Sequence, residues 1–374
     1  MTDNSNADPV RTIHYLRDED HIRTHSRTLR ECKSLGLDTE FVRERTFLPY
    51  PGLIQISDGQ QVWLVDPIAL GGQGSFQELM SSLLGQPDQE KILHSASEDL
   101  ELFELLCQTL PDPLFDTQIA AALLGWPLQV RYETLANELL GLEFAGGLAR
   151  NDWRRRPLPE AWLEYASNDV IALPAMRELL AARLEEKGRL EWLREDCAGM
   201  LQRFHDKPDP RNRIRGAAGL DDESLARLAL LAEWRDSQAM ARNLPRGFIV
   251  ADPPLLEIAR RNPTSQGQLR GIADVGSGFV RRYADELITL LESSSGDSPR
   301  PPELTAIEPQ QRSKIKHLQG LVRTAADALG IEPAVIASKR ELTRLVQGAE
   351  NRLEHGWRKR MLGTEFFAAA DSEA

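Results

Sequence analysis

The sequence predicts an α/β N-terminal domain, a mixed sheet flanked by helices, followed by two small all-α helical domains. Three observations lead there. Residues 12–65 contain runs in which β-branched and apolar side chains alternate with polar ones, and Asp58-Gly59 sits between two of these runs as a hairpin signal. From residue 75 the pattern changes to helix and strand in alternation. Beyond residue 204, after a stretch rich in Pro, Gly and charge, only helical periodicity remains. At 374 residues the chain accommodates two to three domains, each able to bury its own core.

Taken in order, strands are expected at Thr12–Leu16, Gly36–Val42, Leu53–Ser57 and Gln61–Val65, three of them sequential and antiparallel. A helix near Ser75–Leu84, a strand at Lys91–Ser95, a helix at Glu98–Cys107 and a strand near Leu114–Asp116 follow, then helices through about Lys187. The text FHDKPDPRNRIRGAAG at Phe204–Gly219 suggests a linker, and SSSGDSPRPP at Ser293–Pro302 a second. Between them helices are expected at Asp221–Arg242, Pro253–Arg261, Ser265–Gly271 and Phe279–Glu292, and after them Gln310–Phe367 is helical again. The expected division is 1–203, a linker 204–215, a helical domain 216–292, a linker 293–302 and a second helical domain 303–374. The two helical units are compatible with diverged copies of one unit.

Hydrophobic residues make up 41% of the chain and charged residues 27%, with 26 Gly and 22 Pro, which excludes collagen-like and disordered classes. The longest apolar runs, such as Ile119–Leu124, fall far short of the roughly 20 residues that cross a bilayer. The N-terminal MTDNSNADPV has neither a basic segment nor an apolar core, so an unexported, cytoplasmic protein without membrane attachment is expected. Cys32, Cys107 and Cys197 are widely spaced and read as reduced thiols. The net charge of -12 argues against a protein that coats nucleic acid through its overall field, but not against an enzyme that takes a polyanion at a metal site. Residues 211–290 are the exception, with twelve Arg and no Lys against ten acids.

Asp38 and Glu40 stand two apart in a predicted strand, so both carboxylates project from one face. Two acids there are costly unless paired or metal-bound; the ordinary alternative is an edge strand whose acids face water. Asp99 opens a predicted helix just after a strand, where an acid also serves as a plain first-turn residue. Tyr165 and Asp169 lie one helical turn apart on one face. Together these residues supply four oxygen-donor carboxylates suited to two hard cations, with a phenol one turn before the last acid. Phosphodiester cleavage needs such a set, because paired metals generate hydroxide and stabilise the leaving oxygen. Tyr165, neutral at pH 7, would orient the attacking water. Other features carry nothing: His205-Asp206 is a lone pair in a linker, and Gly71-Gly72-Gln73-Gly74 lacks the Lys-Ser/Thr of a phosphate loop.

DTEF at 38–41, GLIQIS at 52–57, HSASEDL at 94–100, FDTQIAA at 115–121, DWRRRPL at 152–158 and YASNDV at 165–170 resemble the ribonuclease D family, 3'-to-5' exoribonucleases of the tyrosine-bearing DEDD branch. Residues 225–291, with Trp234, Arg235, Asn243-Leu244-Pro245, Pro263 and Tyr283, resemble the helicase and RNase D C-terminal (HRDC) domain. The last segment, with LGIEPAVIASKREL at 329–342 and GWR at 356–358, is similar to the family's second, diverged helical domain. The resemblance implies an RNase H-like fold and two Mg²⁺ or Mn²⁺ ions held by Asp38, Glu40, Asp99 and Asp169, with Tyr165 completing the catalytic set. It implies release of nucleoside 5'-monophosphates from RNA 3' ends, notably tRNA precursors, by a monomer with no stable protein partner. Substrate contacts are expected from Thr39, Phe41, Gln55 and His94, and from Arg154 and Arg155, which could grip phosphates together with Arg156. Two departures touch the substrate strand: Asn151 where the family has Ser, and Ala145-Gly146-Gly147 where a basic residue is expected. The alternatives are a DNA exonuclease of the same fold, disfavoured by the tandem helical domains, and a silent RNA-binding scaffold, disfavoured by retention of all four acids.

Overall fold

A computed structural model describes residues 12–72, 74–144, 151–206, 208–294 and 298–371. Six strands form one sheet in the order β1-β4-β3-β2-β5-β6: β1 (Thr12–Leu16), β2 (Ser34–Val42), β3 (Tyr50–Ser57), β4 (Gln61–Val65), β5 (Glu90–Leu93) and β6 (Leu114–Asp116). The β2-β3-β4 meander is antiparallel, and β1, β5 and β6 add in parallel at its edges, which makes the sheet mixed. The Asp58-Gly59 turn forms as expected. Asp58 Oδ1 accepts the backbone N–H groups of Gln60 and Gln61 at 2.8 and 2.7 Å, and Gly59 takes a φ of 91° that suits glycine.

Helices α1 (Glu19–Glu31), α2 (Ser75–Leu84), α3 (Ser97–Cys107), α4 (Thr117–Leu124), α5 (Tyr132–Leu140), α6 (Glu160–Ile171), α7 (Leu173–Glu186) and α8 (Leu190–Phe204) cover the sheet. Sequence reading assigns no helix to Glu19–Glu31, because the segment is strongly polar and only Ile22 and Leu29 are buried. Asp18 starts it, accepting from His21 N at 3.0 Å. At Gly36 a Cβ would lie 2.9 Å from Leu173 Cβ and 3.0 Å from the Val170 carbonyl, so glycine lets the α6–α7 junction sit directly on β2.

Beyond residue 204 the described residues form no strand. Helices α9 (Asp222–Arg242), α10 (Arg246–Ile249), α11 (Asp252–Arg261), α12 (Gln266–Arg270) and α13 (Ser277–Glu292) enclose a separate apolar core centred on Leu228, Leu255 and Leu287. The stretch before them is less free than its composition suggests: it makes two short 3-10 turns, and Arg211 is buried against Asp209 and the Pro299 carbonyl. Helices α14 (Pro309–Leu329), α15 (Pro333–Ile336), α16 (Lys339–Val346) and α17 (Gly356–Asp371, kinked at Gly363) share one continuous core with the sheet domain. Trp357 stacks on Trp192 of α8 at 4.3 Å, and the buried Arg358 pairs with Asp196. Among the described residues no helix is long and apolar enough to cross a membrane.

Candidate active site

Strand β2 outruns its neighbour. It pairs with β5 only from Ser34 to Gly36, while β2 itself continues to Val42. The edge left beyond Gly36 receives the first turn of α3: the Thr39 hydroxyl donates to Asp99 Oδ1 at 2.5 Å, and Arg43 pairs with Glu101. Asp38 and Glu40 point to the opposite face from Thr39. Helix α6, which packs across β2, β3 and β4, brings Tyr165 and Asp169 over that face.

The resulting cleft has a volume of about 400 Å³ and is lined by Asp38, Thr39, Glu40, Phe41, His94, Tyr165 and Asp169 among the expected residues, and by Glu98, Tyr132 and Glu133 besides. Asp99 lies behind Thr39, buried at 7% exposure. A larger cavity of about 1440 Å³ between α8, residues 208–212 and α17 is a poorer candidate, since its charged groups already pair with one another, as in Arg211–Asp209, Arg344–Glu303 and Arg358–Asp196.

The electrostatics of the four acids is unusual. Burial first, then the charges of Asp99, Asp169 and Glu40, raises Asp38 well above the ordinary carboxylate range. Burial followed by Asp169 and Asp99 pushes Glu40 up to about 9. Asp99 and Asp169 both rise to about 7, chiefly through burial, against the lowering effect of hydrogen bonds from Thr39 and Tyr165 respectively. No Lys or Arg among the described residues offsets these shifts. The Tyr165 phenol is raised too, by burial and then by Asp169, Glu40 and Asp38, so it stays protonated. A set of uncompensated, oxygen-only donors fits hard divalent cations. Among the described residues no group of three or more acidic, His or Cys side chains stands as it is in a metal-holding arrangement.

Several expected substrate contacts are placed differently. Gln55 is fully buried on β3 directly opposite Asp38, with neither amide atom hydrogen-bonded, and does not line the cleft. His94 reaches the cleft only with its ring: Nε2 lies 3.0 Å from the Val130 carbonyl and Nδ1 2.9 Å from the Thr117 hydroxyl, and burial lowers its pKa. Arg154 folds onto Asp152 at 2.7 Å and over the Tyr50 ring at 5.6 Å, and Arg155 is exposed; neither lines the cleft. Arg156 is a correction to the phosphate-gripping triplet. It donates to both Asp66 oxygens and to the carbonyls of Gly52 and Trp153, which anchors residues 151–158 to the sheet. Trp153 is thereby buried against Gly52, where a Cβ would lie 2.5 Å from Trp153 Cβ, and its ring supports that of Tyr165 at 6.3 Å. Asn151 is half-buried, and Ala145-Gly146-Gly147 lies outside the described residues. Tyr132 and Glu133 escape sequence reasoning because an acid in a first helical turn is commonplace.

A model of the 3'-5' exonuclease family matches residues 13–185, and one of the HRDC domain matches residues 224–291. Ribonuclease D of Pseudomonas paraeruginosa is 34% identical over 380 residues, covering 96% of this chain and 98% of that protein. Ribonuclease D of Escherichia coli is 32% identical, covering 88% of each. The crystal structure of Escherichia coli RNase D, described as an exoribonuclease involved in structured RNA processing, superposes with a TM-score of 0.85 at 29% identity over 96% of this chain and 98% of that one. Exonucleases of this kind generally depend on divalent metal ions, and ribonuclease D acts on RNA. The chain belongs to the ribonuclease D family and is a hydrolytic 3'-to-5' exoribonuclease.

Proposed function

We propose that this exoribonuclease removes nucleoside 5'-monophosphates one at a time from RNA 3' ends, with precursor tRNAs and other structured RNAs as substrates. The observation that supports this reading is a cleft lined by Asp38, Glu40, Tyr165 and Asp169, with Asp99 behind Thr39 at its back, whose acids are raised by burial with no cationic partner among the described residues. Asp38, Glu40, Asp99 and Asp169 would hold two divalent cations, Mg²⁺ or Mn²⁺, which when bound supply hydroxide at neutral pH and neutralise charge on the scissile phosphate. Tyr165, its ring beside Trp153 and its phenol raised by burial and the neighbouring acids, keeps its proton and orients the attacking water through the phenol oxygen. Phe41 and the ring of His94 form apolar wall against which a terminal nucleoside can rest. Because water is the nucleophile, the 2'-hydroxyl is not consumed, and the phosphate leaves on the 5' side of the released nucleoside.

The division at residues 203, 216, 292 and 303 is proposed as the domain plan, with the helical units gripping RNA and the sheet domain performing the chemistry. The protein is proposed to work as a monomer in the cytoplasm. The test is a 5'-labelled tRNA carrying a 3' extension, incubated with purified protein and Mg²⁺ or Mn²⁺. Stepwise shortening with release of 5'-monophosphates is expected. Formation of 2',3'-cyclic phosphates or 3'-monophosphates, or full activity in EDTA, would overturn the mechanism.

A further inference from the structure

Tyr132 opens α5, and the proposed reaction gives it no task. Its hydroxyl donates to the Asn168 carbonyl at 2.7 Å and lies 3.3 Å from the backbone N–H of Ala172, which donates to it. Residues 168 and 172 are four apart, so in an unbroken helix these two backbone groups would bond directly to each other. The phenol oxygen is therefore inserted into one rung of the helical ladder, one of the recognised causes of a sharp helix break. The break is real: α6 ends at Ile171 and α7 begins at Leu173, while the N–H of Ala172 also turns toward the Val170 carbonyl. Asp169 is the residue that follows the opened carbonyl.

The ring that carries this hydroxyl has little freedom. It is 8% exposed, meets His94 edge-on at 5.9 Å and stacks on Phe144 at 5.7 Å. His94 is in turn held by Thr117 and the Val130 carbonyl. On the other side the α6–α7 junction rests on Gly36, so the turn bearing Asp169 is gripped between β2 and the phenol.

We infer that Tyr132 is a positioning residue for Asp169: its hydroxyl, spliced between Asn168 and Ala172, sets the helical turn from which the Asp169 carboxylate enters the cleft. The inference rests on the reading of Asp169 as a cation-holding residue. Partners that orient metal ligands are commonly worth about 10- to 100-fold in affinity or activity.

Full-length Tyr132→Phe keeps the ring and removes only the inserted oxygen. In the variant the Mn²⁺ dissociation constant, read by electron paramagnetic resonance, should rise about tenfold and kcat on a short RNA should fall about tenfold, with KM nearly unchanged. Measurements are made where circular dichroism shows both proteins folded. Asp169→Asn is run alongside. If it loses Mn²⁺ affinity and turnover while Tyr132→Phe keeps both within about twofold of wild type, whatever happens to Tm, the phenol only fills a helix break and the positioning role is wrong. If Asp169→Asn itself keeps Mn²⁺ binding and turnover, the reading of the site has failed and the inference fails with it.

Discussion

Asp38, Glu40, Asp99 and Asp169 hold their protons more tightly in the folded chain than their ordinary values of 3.8 and 4.5 would allow, because burial and mutual repulsion penalise their charged forms. A group whose pKa rises on folding stabilises the fold below its unfolded value, and that contribution disappears as pH climbs through the folded value. The window here runs from about pH 4 to the raised values of about 7 and about 9. The metal-free protein should therefore lose Tm between about pH 5 and 8.5. Added Mg²⁺ should raise Tm more at the upper end, where the acids are ionised and protons no longer compete. Calorimetry at both pH values checks this, and an equal Mg²⁺ effect at pH 5 and 8.5 would contradict it. Alanine at any of the four acids should leave a folded protein whose turnover is down about 10³-fold or more, since several kcal/mol of charge stabilisation is lost. Tyr165→Phe keeps the packing against Trp153 and should lose about 10²-fold. Near-normal single-turnover rates in any of these variants would remove that residue from the site.

At the scale of elements, the loop 151–158 shows what a motif cannot say about its own residues. Arg154, Arg155 and Arg156 look alike in sequence, yet Arg156 spends its guanidinium on the fully buried Asp66, which also receives the Tyr15 hydroxyl, while its two neighbours face water. Asp66 is held below the usual carboxylate range despite burial, by hydrogen bonds from Arg156 and Tyr15 and from backbone. Arg156→Ala would strand that charge, and a loss of about 3 kcal/mol or more in urea unfolding is expected. Because the folded pKa of Asp66 is depressed, its contribution is present above the unfolded value and fades as pH falls through the folded one. The deficit of Arg156→Ala should accordingly shrink in acid; a constant deficit from pH 7 to 3 would argue against the ion pair as its cause. What was legible in the sequence is local. The Asp58-Gly59 hairpin and the two-residue spacing of Asp38 and Glu40 report themselves. The parallel docking of β1 on β4, the packing of the polar helix α1 on α2 and the burial of Gln55 on a strand covered by α6 depend on partners elsewhere in the chain, which no local pattern encodes.

At the scale of the molecule, the two C-terminal helical units relate differently to the chemistry. The last unit is fused to the sheet domain through Trp357 on Trp192 and the buried Arg358–Asp196 pair, so a chain cut near residue 203 would bare an apolar face of α8. The first unit keeps its own core and reaches the sheet domain at a point next to the site. Asn243 ends α9 in the left-handed region, which Asn tolerates, and its side-chain oxygen accepts the backbone N–H groups of Phe47 and Leu48 at 3.0 and 2.7 Å. Arg246 covers the Phe47 ring at 4.6 Å. The loop so clasped leaves β2 just after Glu40 and Phe41, and its Arg43 pairs with Glu101 on the helix that carries Asp99. Asn243→Ala would free two backbone donors and cost about 1–3 kcal/mol of docking, whereas Asn243→Asp keeps the accepting oxygen. The expected outcome is faster tryptic cleavage between residues 204 and 219 in Asn243→Ala, with kcat/KM reduced several-fold on a tRNA-sized substrate and less on a short oligomer. Asn243→Asp should stay close to wild type. If Asn243→Ala behaves like wild type on both substrates and in proteolysis, the clasp does not hold the helical unit in its working position, and the Phe47–Arg246 contact would have to do so alone.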